Sequence, residues 1–394
     1  MPPSELELDL NERFRQRREE ARKRRRRRRS VVLALAVVTA ALVALGATVI
    51  GTRASDDGGS TEAVSTAEKK KPEPVSRTPL PDEVRGVHVA MPVASLPGKL
   101  DHYLSIPGLT ALELDVKDEN GEVGFLMPAT SLARRVGASK PYYKASVVAA
   151  KAREAGVYLI GRVVVFEDPM LAAERPDLAI RTSGGGVWEN DAGLGWVNPY
   201  DERVWDYVLS IAKAAARAGF DEIQFDYVRF PSDGPIESAV FPGKTAEPPG
   251  WTITRFVQYA SKQLKPLGVR VSVDLFGLSA TRDLGVGQVP GRLAKYVDGV
   301  YPMVYPSHYN PGEFNLPDPS AAPGSTVSHS LRDFRNALVG RKAMLIPWLE
   351  DFSLTSDRRP PEEVQAQIDA ARRHNAKGFL LWNPSGVYTE ELLK

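Results

Sequence analysis

The sequence contains no cysteine among its 394 residues. This absence excludes disulfide frameworks, thiolate nucleophiles and metal sites built from cysteine. Charge of either sign is also not in excess, because 51 Lys and Arg against 49 Asp and Glu leave a formal net charge of +2. A chain so close to neutral has no overall attraction to nucleic acid, and no nucleic-acid partner is expected. A folded domain must therefore rely on its hydrophobic core rather than on covalent cross-links.

Histidine is scarce as well, and its spacing argues against a metal-dependent hydrolase. The five histidines are scattered along the chain at His88, His102, His308, His329 and His374. Metal-binding motifs usually place two such ligands within a few residues of each other on one element. The sequence contains no His-x-His motif, so we predict neither a metal nor another cofactor.

Uncharged runs long enough to cross a membrane are rare too, and one occurs at residues 31–50, directly after the basic run Arg22–Arg29. About 20 apolar residues match the roughly 30 Å thickness of a bilayer core. Because basic flanks remain in the cytoplasm, we predict a cytoplasmic tail over residues 1–30, a single transmembrane anchor over 31–50 and an extracytoplasmic remainder. A signal peptide cut near Ala44 and Gly46 is the alternative.

Residues 51–82 are rich in Asp, Gly, Ser, Thr, Lys, Glu and Pro and contain few large apolar residues. That composition predicts a flexible, disordered linker. The remaining residues, 83–394, are long enough for one large domain.

This domain alternates β-rich runs with stretches of helical length. The eight β-rich runs are Val84–Ala90, Leu109–Val116, Val157–Phe166, Phe220–Val228, Val269–Phe276, Gly299–Tyr305, Ala343–Leu349 and Gly378–Trp382. The predicted helices are Tyr143–Ala155, Asp201–Ala218, Thr252–Leu267, Pro290–Tyr296, Ser328–Leu338 and Pro361–Asn375. Eight βα units close naturally into a (β/α)8 TIM barrel, with the loops after the strands forming the active face.

Within the second, fourth and fifth runs, polar residues alternate with apolar ones and contribute the carboxylates Asp115, Asp226 and Asp274. The apolar side should pack on helices, so the polar side should face the barrel interior. Carboxylates there are costly to bury unless they are paired. We predict that Asp226 and Asp274 are catalytic and that Asp115, Lys117 and Arg162 bind substrate. In the alternative interpretation, these residues form a purely structural polar network.

The seventh run ends with Trp348, Glu350 and Asp351 at the predicted barrel mouth. Alternation places Trp348 and Glu350 on one face of the strand. We predict that Glu350 is a third catalytic residue and that Trp348 and Asp351 bind substrate. For Asp351, a turn-initiating role is the alternative, because Asp is common at the start of loops.

Aromatic residues are placed near the predicted strand ends, where their ring faces could stack on sugars. They are Trp188, Trp196, Tyr227, Tyr301, Tyr305, Tyr309 and Trp382. Tyr301, Tyr305 and Trp382 are predicted to bind substrate, and Arg229 and His308 to position hydroxyl groups. Ordinary core or loop packing is the alternative for each ring.

With these residues identified, the stretch Phe220–Pro231 resembles a signature of a bacterial family of glycosyl hydrolase domains. The blocks Arg85–His88, Val271–Gly277, Tyr301–Tyr309 and Pro347–Phe352 are similar to its other conserved segments, and the resemblance spans residues 83–394. It implies a TIM barrel distantly similar to the α-amylase group.

In that group the nucleophile ends strand four, the acid ends strand five and a supporting acid follows strand seven. By position these match Asp226, Asp274 and either Glu350 or Asp351. The sequence departs from the pattern by having Asp rather than Glu at strand five, and Gln224 instead of arginine two residues before the nucleophile.

The sequence thus predicts a membrane-anchored glycoside hydrolase acting on an extracytoplasmic poly- or oligosaccharide. Asp226 would be the nucleophile and Asp274 the acid/base of a retaining reaction, although inversion stays open until the carboxyl separation is known. The alternative is a non-catalytic barrel that binds cell-wall polysaccharide, which would need the aromatic residues but not the paired acids.

Overall fold

The structure, a computed structural model, describes residues 76–354 and 358–394. Its main sheet is built from eight strands, the seventh of which has two segments. They are β1 Val84–Val89, β2 Ala111–Lys117, β3 Tyr158–Val164, β4 Glu222–Asp226, β5 Arg270–Phe276, β6 Gly299–Val304, β7 Met344–Leu345 with Trp348–Glu350, and β8 Gly378–Trp382. Their positions agree with the eight runs in the sequence.

Every neighbouring pair of these strands is parallel, and the sheet closes on itself. Strands β1 to β6 pair in chain order. The first segment of β7 pairs with β6, its second segment bridges β6 and β8, and β8 returns to β1. The predicted (β/α)8 barrel is therefore confirmed.

Helices surround this barrel. They are α1 Met91–Ala94, α2 Lys99–Leu104, α3 Leu132–Arg135, α4 Ala145–Glu154, α5 Pro169–Glu174, α6 Glu202–Ala218, α7 Pro249–Leu264, α8 Pro290–Leu293, α9 Pro323–Ala337 and α10 Pro361–Arg373.

Proline residues explain two of the differences from the predicted helix boundaries. Helix α9 starts at Pro323, five residues before the predicted Ser328, because proline suits the first turn, where its missing N–H is not needed. Helix α7 ends at Leu264 and continues only as a 3-10 turn over Lys265–Leu267, where Pro266 removes a backbone donor.

The outward faces of the strands pack on the helices in one large core that includes Leu112, Leu114, Ile223 and Phe225. A second apolar cluster fills the lower barrel interior. It contains Val84, Ala111, Tyr158, Ile160, Tyr301, Ile346, Trp348 and Leu380. The lower interior is therefore a packed floor, and polar side chains occupy the space above it.

The seventh strand is interrupted where the sequence predicted a continuous run. Pro347 separates its two segments and cannot donate a ladder hydrogen bond, although its carbonyl still accepts from Leu380 N at 2.9 Å. The second segment, Trp348–Glu350, lies between β6 and β8. This placement brings Trp348 over the barrel floor.

The long loops after β3 and β4 pack against each other and form one wall above the barrel. Arg181–Thr182 from the first loop pairs in antiparallel fashion with Ala239–Val240 from the second. Trp188 and Trp196 lie inside this wall with no exposed surface. Of the two interpretations given for these rings, packing within a loop therefore fits both, because a ring buried on both faces cannot meet a ligand.

The end of the predicted linker, residues 76–82, contacts the barrel. The Arg77 guanidinium donates to the carbonyl oxygens of Phe220, Ala216 and Leu267, and Thr78 N donates to Asp221 Oδ1 at 2.7 Å. Arg77 thereby ties this segment to the C-terminal end of α6, to the residue pair before β4 and to the 3-10 turn after α7.

The predicted cytoplasmic tail, the anchor and residues 51–75 of the linker lie outside the described residues. Among the helices that the structure describes, none is both long enough and apolar enough to cross a bilayer.

Candidate active site

Four carboxyl groups share the barrel interior above the apolar floor. Glu113 and Asp115 come from β2, Asp226 ends β4, and Asp274 lies on β5. All four are buried, with Asp226 the most exposed at 6%. Buried acids in such numbers require compensating charges, protons or hydrogen bonds.

Arg162 on β3 supplies the main positive charge. Its Nη1 lies 2.7 Å from Asp115 Oδ1, and its Nη2 and Nε lie 2.7 and 3.0 Å from Asp226 Oδ2. The other Asp226 oxygen, Oδ1, accepts from the Tyr227 backbone N at 2.7 Å. Three N–H groups surround Asp226, two from the Arg162 guanidinium and one from the backbone. They suit a carboxylate anion held in a fixed orientation.

Asp274 has a different environment, although it is a neighbour of Asp226. Its Oδ1 accepts from Gln224 Nε2 at 2.7 Å and from Trp348 Nε1 at 2.8 Å. It is 1% exposed. Burial, followed by the negative charges of Asp226 and Glu113, raises the pKa of Asp274 well above its usual range. These surroundings favour the protonated form of Asp274, whereas the donors around its neighbour Asp226 suit a carboxylate.

His88, near the end of β1, joins the same network. Its Nδ1 contacts Glu113 Oε2, and its Nε2 lies 3.6 Å from Asp115 Oδ2. Burial opposes the charged imidazolium, but Glu113 and Asp115 together raise the pKa of His88 above its ordinary value. The sequence analysis assigned no role to His88 or Glu113. The sequence did contain signals for both residues. His88 lies in the block Arg85–His88 that resembles the family, and Glu113 shares the polar face of its strand with Asp115.

Tyr227 follows Asp226 in a conformation that is uncommon for a residue with a side chain. Its φ is 49°, in the left-handed region. Arg229 then turns inward, with its guanidinium 5.0, 4.9 and 4.6 Å from the ring centres of Trp196, Tyr227 and Phe276. Its Nη1 donates to Phe230 O and Ser232 Oγ. Strained backbone of this kind often marks a functional site.

An aromatic group covers the β6 to β8 side of the site. Tyr305 and Trp382 stack with ring centres 5.1 Å apart, and Phe352 meets Trp382 edge-on at 5.0 Å. His308 lies 5.5 Å from Tyr305. Burial and the carboxylates Asp274 and Asp226 raise the pKa of Tyr305, which locates its ring beside the acids. Three predicted substrate-binding residues, Tyr305, His308 and Trp382, are therefore brought together.

Glu167 is a further acid at the rim that the sequence analysis missed. It is 3% exposed and lies just after β3, and its Oε2 accepts from Asn190 Nδ2 at 3.1 Å. Burial, opposed in part by Arg229, raises the pKa of Glu167 to about 8. It follows the predicted run Val157–Phe166, at a position where no periodicity indicates side-chain direction.

Two predicted substrate-binding residues lie away from the rim. Lys117 is fully buried, with Nζ 3.0 Å from Asp168 Oδ2 and 2.9 Å from Val164 O. Tyr301 lies in the barrel floor beside Tyr158 and Glu222 and has no exposed surface. The structure therefore does not bring either side chain to the cleft.

Glu350 and Asp351 are engaged in contacts that hold loops. Glu350 Oε1 pairs with Arg359 Nη2 at 2.7 Å, and its Oε2 accepts from Ser307 N at 2.9 Å. Asp351 accepts from Thr389 N at 2.6 Å and from its Oγ1 at 2.7 Å. These contacts fit the turn-stabilising alternative for Asp351, and they place Glu350 under the loop that carries His308.

The fold and the site together define a class: a (β/α)8 barrel whose rim holds a carboxyl group paired with a guanidinium beside one whose pKa is raised by burial. The chain belongs to the family described as "Putative glycosyl hydrolase domain", whose model matches residues 86–388. The family predicted from the sequence blocks is confirmed, and with it the class, a glycosidase.

Solved structures resemble this barrel. The glycoside hydrolase domain of PgaB (BpsB) from Bordetella bronchiseptica is 14% identical, covers 78% of this chain and 95% of its own, and gives a TM-score of 0.55. A hypothetical protein from Ruminiclostridium thermocellum is 35% identical over 48% of this chain and 96% of its own, with a TM-score of 0.43. The PgaB likeness shows the fold alone. No curated protein matches the chain.

Proposed function

We propose that this protein hydrolyses O-glycosidic bonds of a poly- or oligosaccharide, with Asp226 as the nucleophile. One observation carries the proposal: Asp226, which is oriented by Arg162, lies beside Asp274, whose burial favours the protonated carboxyl group. Glycoside hydrolysis needs one carboxyl group in each of these states.

The strand register supports a retaining reaction. Gln224 aligns with Ser272 and Phe225 with Val273, so the next positions, Asp226 and Asp274, are side by side on adjacent strands. Neighbouring strands are about 4.8 Å apart, so carboxyl groups in this register can come as close as a retaining reaction requires. Retaining enzymes have separations of about 5–5.5 Å, and inverting enzymes about 6.5–9.5 Å.

In the proposed reaction Asp226 attacks the anomeric carbon while a protonated carboxyl group gives its proton to the departing oxygen. Water then attacks the same carbon and releases Asp226. Asp274 is the donor predicted from the sequence, and burial maintains its proton. Asp115 and Arg162 fix the orientation of Asp226 through their shared contacts.

The aromatic group of Tyr305, Phe352 and Trp382 suits a sugar ring, because pyranoses present apolar C–H faces to aromatic rings. The wall formed by the loops after β3 and β4 faces it across the rim and suits an extended chain of sugars.

We also propose that the domain works outside the cytoplasm on a cell-wall or other exported polysaccharide, tethered by residues 31–50. The support for this location is the sequence alone, in which the basic run Arg22–Arg29 precedes an apolar stretch of membrane-spanning length.

Incubation of the full chain with cell-wall and exopolysaccharide preparations tests the function. Mass spectrometry should show newly released oligosaccharides, and proton NMR during the first minutes should show products with the anomeric configuration of the cleaved bond. Products of opposite configuration would overturn the nucleophilic role of Asp226. Tight glycan binding without any cleavage would favour the non-catalytic barrel instead.

A further inference from the structure

Glu167 is fixed next to the nucleophile by the backbone. Beyond the end of β3, Val165 N bonds Asp226 O at 2.9 Å, and Phe166 N approaches Tyr227 O at 3.4 Å. Glu167 itself forms an antiparallel bridge with Trp196 in the wall. The β3 to β4 pairing therefore continues past Asp226 and carries Glu167 to the rim, one step further out than the nucleophile.

The Glu167 side chain is oriented by a neutral donor. Asn190 Nδ2 reaches Glu167 Oε2 at 3.1 Å. The Asn190 Oδ1 atom accepts from Ala192 N at 3.1 Å and from Leu194 N at 3.0 Å, so the amide cannot reverse without losing both bonds. A carboxyl group held by an uncharged amide loses little when it is protonated, in contrast to one paired with a guanidinium.

The charges around Glu167 also favour its protonated form. Arg229 is the opposing cation, and its Nη1 is already bonded to Phe230 O and Ser232 Oγ. The carboxylates of Glu119, Asp233 and Asp226 all oppose ionisation. Burial is the largest contribution, and the pKa of about 8 leaves Glu167 mostly neutral at pH 7.

Two carboxyl groups whose surroundings favour the protonated form thus lie on the strands on either side of Asp226. Asp274 is on β5, held on one oxygen by Gln224 and by the indole of Trp348 from the barrel floor. Glu167 lies just past the end of β3, further out along the barrel than Asp226, where its backbone bridges Trp196 in the wall. The leaving part of a polysaccharide extends out of the barrel, so its oxygen lies nearer the mouth than the floor.

We infer that Glu167 is a further catalytic residue, the general acid and base on the leaving-group side of Asp226, an inference that rests on the proposed function. Asp274 then keeps its proton and donates a hydrogen bond to a hydroxyl group of the sugar ring that lies above the floor.

The chemistry balances within one turnover. Glu167 gives its proton to the glycosidic oxygen as the bond from that oxygen to the anomeric carbon breaks and Asp226 forms an ester with the carbon. The aglycone leaves as a neutral alcohol. The ionised Glu167 then takes a proton from water as the water oxygen attacks the carbon and the ester bond breaks. Asp226 returns as a carboxylate and Glu167 as an acid.

The test compares E167Q, D274N and wild type on the natural glycan and on 2,4-dinitrophenyl and phenyl glycosides of the oligosaccharide it releases. For E167Q we expect a loss of about 10²–10⁴-fold on the glycan and the phenyl glycoside, which need an acid. Formation of the ester from the dinitrophenyl glycoside should remain within about tenfold of wild type, because that leaving group needs no proton. Azide should restore turnover of E167Q as the glycosyl azide.

The pH profile gives a second readout. Because Glu167 must be protonated in the first step, wild-type activity should fall as pH rises through about 8, and E167Q should lack this limb. The matched control is E189Q, an exposed glutamate in the same wall loop, which should behave as wild type. E167D, which keeps an acid but withdraws it by one methylene group, should retain partial activity and the alkaline limb.

Activity of E167Q within threefold of wild type on the glycan, or azide rescue confined to D274N, would overturn the role of Glu167 while leaving the proposed function intact. Failure of the proposed function itself would appear differently, as full activity in a D226N variant. If E167Q does not fold by circular dichroism, E167D decides: an unchanged rate on the glycan and the phenyl glycoside would also overturn the role.

Discussion

D226N lowers kcat/KM for glycan hydrolysis by about 10⁴-fold or more. The amide nitrogen cannot form the ester with the anomeric carbon, and the negative charge that stabilises the transition state is lost. Arg162 would still hold the side chain through the remaining oxygen, so the geometry should change little. Reducing-end assays on the glycan identified by mass spectrometry measure the effect.

The matched control is D191N, which changes an exposed aspartate in the wall loop and should leave the rate within twofold of wild type. Thermal unfolding of D226N should confirm that it is folded. Residual activity above about a tenth of wild type in a folded D226N variant would remove Asp226 from the reaction.

Replacement of Arg162 by methionine should destabilise the fold and nearly abolish activity. The guanidinium is the shared partner of Asp115 and Asp226 and is only 13% exposed, so its removal deprives two buried carboxylates of their main positive charge. Breaking a buried ion pair from one side costs about 3–5 kcal/mol. We expect a loss of that size in the free energy of unfolding from denaturant titration, with kcat/KM reduced about 10³-fold because Asp226 loses its orientation.

Arg203→Met is the control for charge removal at the surface. Arg203 pairs with Asp177 and Asp201 but is 59% exposed, and its loss should cost at most about 1 kcal/mol. Equal stability losses in the two variants would contradict the view that Arg162 is the charge on which the buried acids depend.

The sequence was sufficient to predict the barrel because strand alternation and helix spacing are local properties. The same alternation correctly predicted that Asp115, Asp226 and Asp274 face the barrel interior. It failed for Lys117, because the pairing of β2 with β3 shifts between Asp115 and Lys117. That irregularity sends the lysine to Asp168, below the loop.

The height of a side chain within the barrel was harder to predict than the face of the strand on which it lies. Tyr301 faces the interior as alternation requires, yet it is in the floor with Glu222 rather than at the rim. Strand stagger in a closed barrel sets that height, and it depends on pairing with strands far away in sequence. The orientation of the Glu350 side chain similarly depends on its ion pair with Arg359. No local sequence pattern indicates that these two residues meet.

Glu167 could not be predicted because it lies beyond the end of a strand. The direction of its side chain is set by contacts with Asn190 and Trp196. Both residues follow Glu167 in the wall loop by more than 20 positions. The roles of Trp188 and Trp196 stayed open in the sequence for the same reason, since a loop rich in Gly and Trp can be either a binding surface or a packed wall.

The proposed reaction requires a covalent bond between the sugar and Asp226. Full-length protein treated with the 2,4-dinitrophenyl 2-deoxy-2-fluoro glycoside of the released sugar should gain one fluoroglycosyl group. Peptide mapping should place the group on Asp226, and D226N should gain none. A label on Asp274 or Glu167, or hydrolysis of the natural glycan with inversion and no labelled protein, would contradict it.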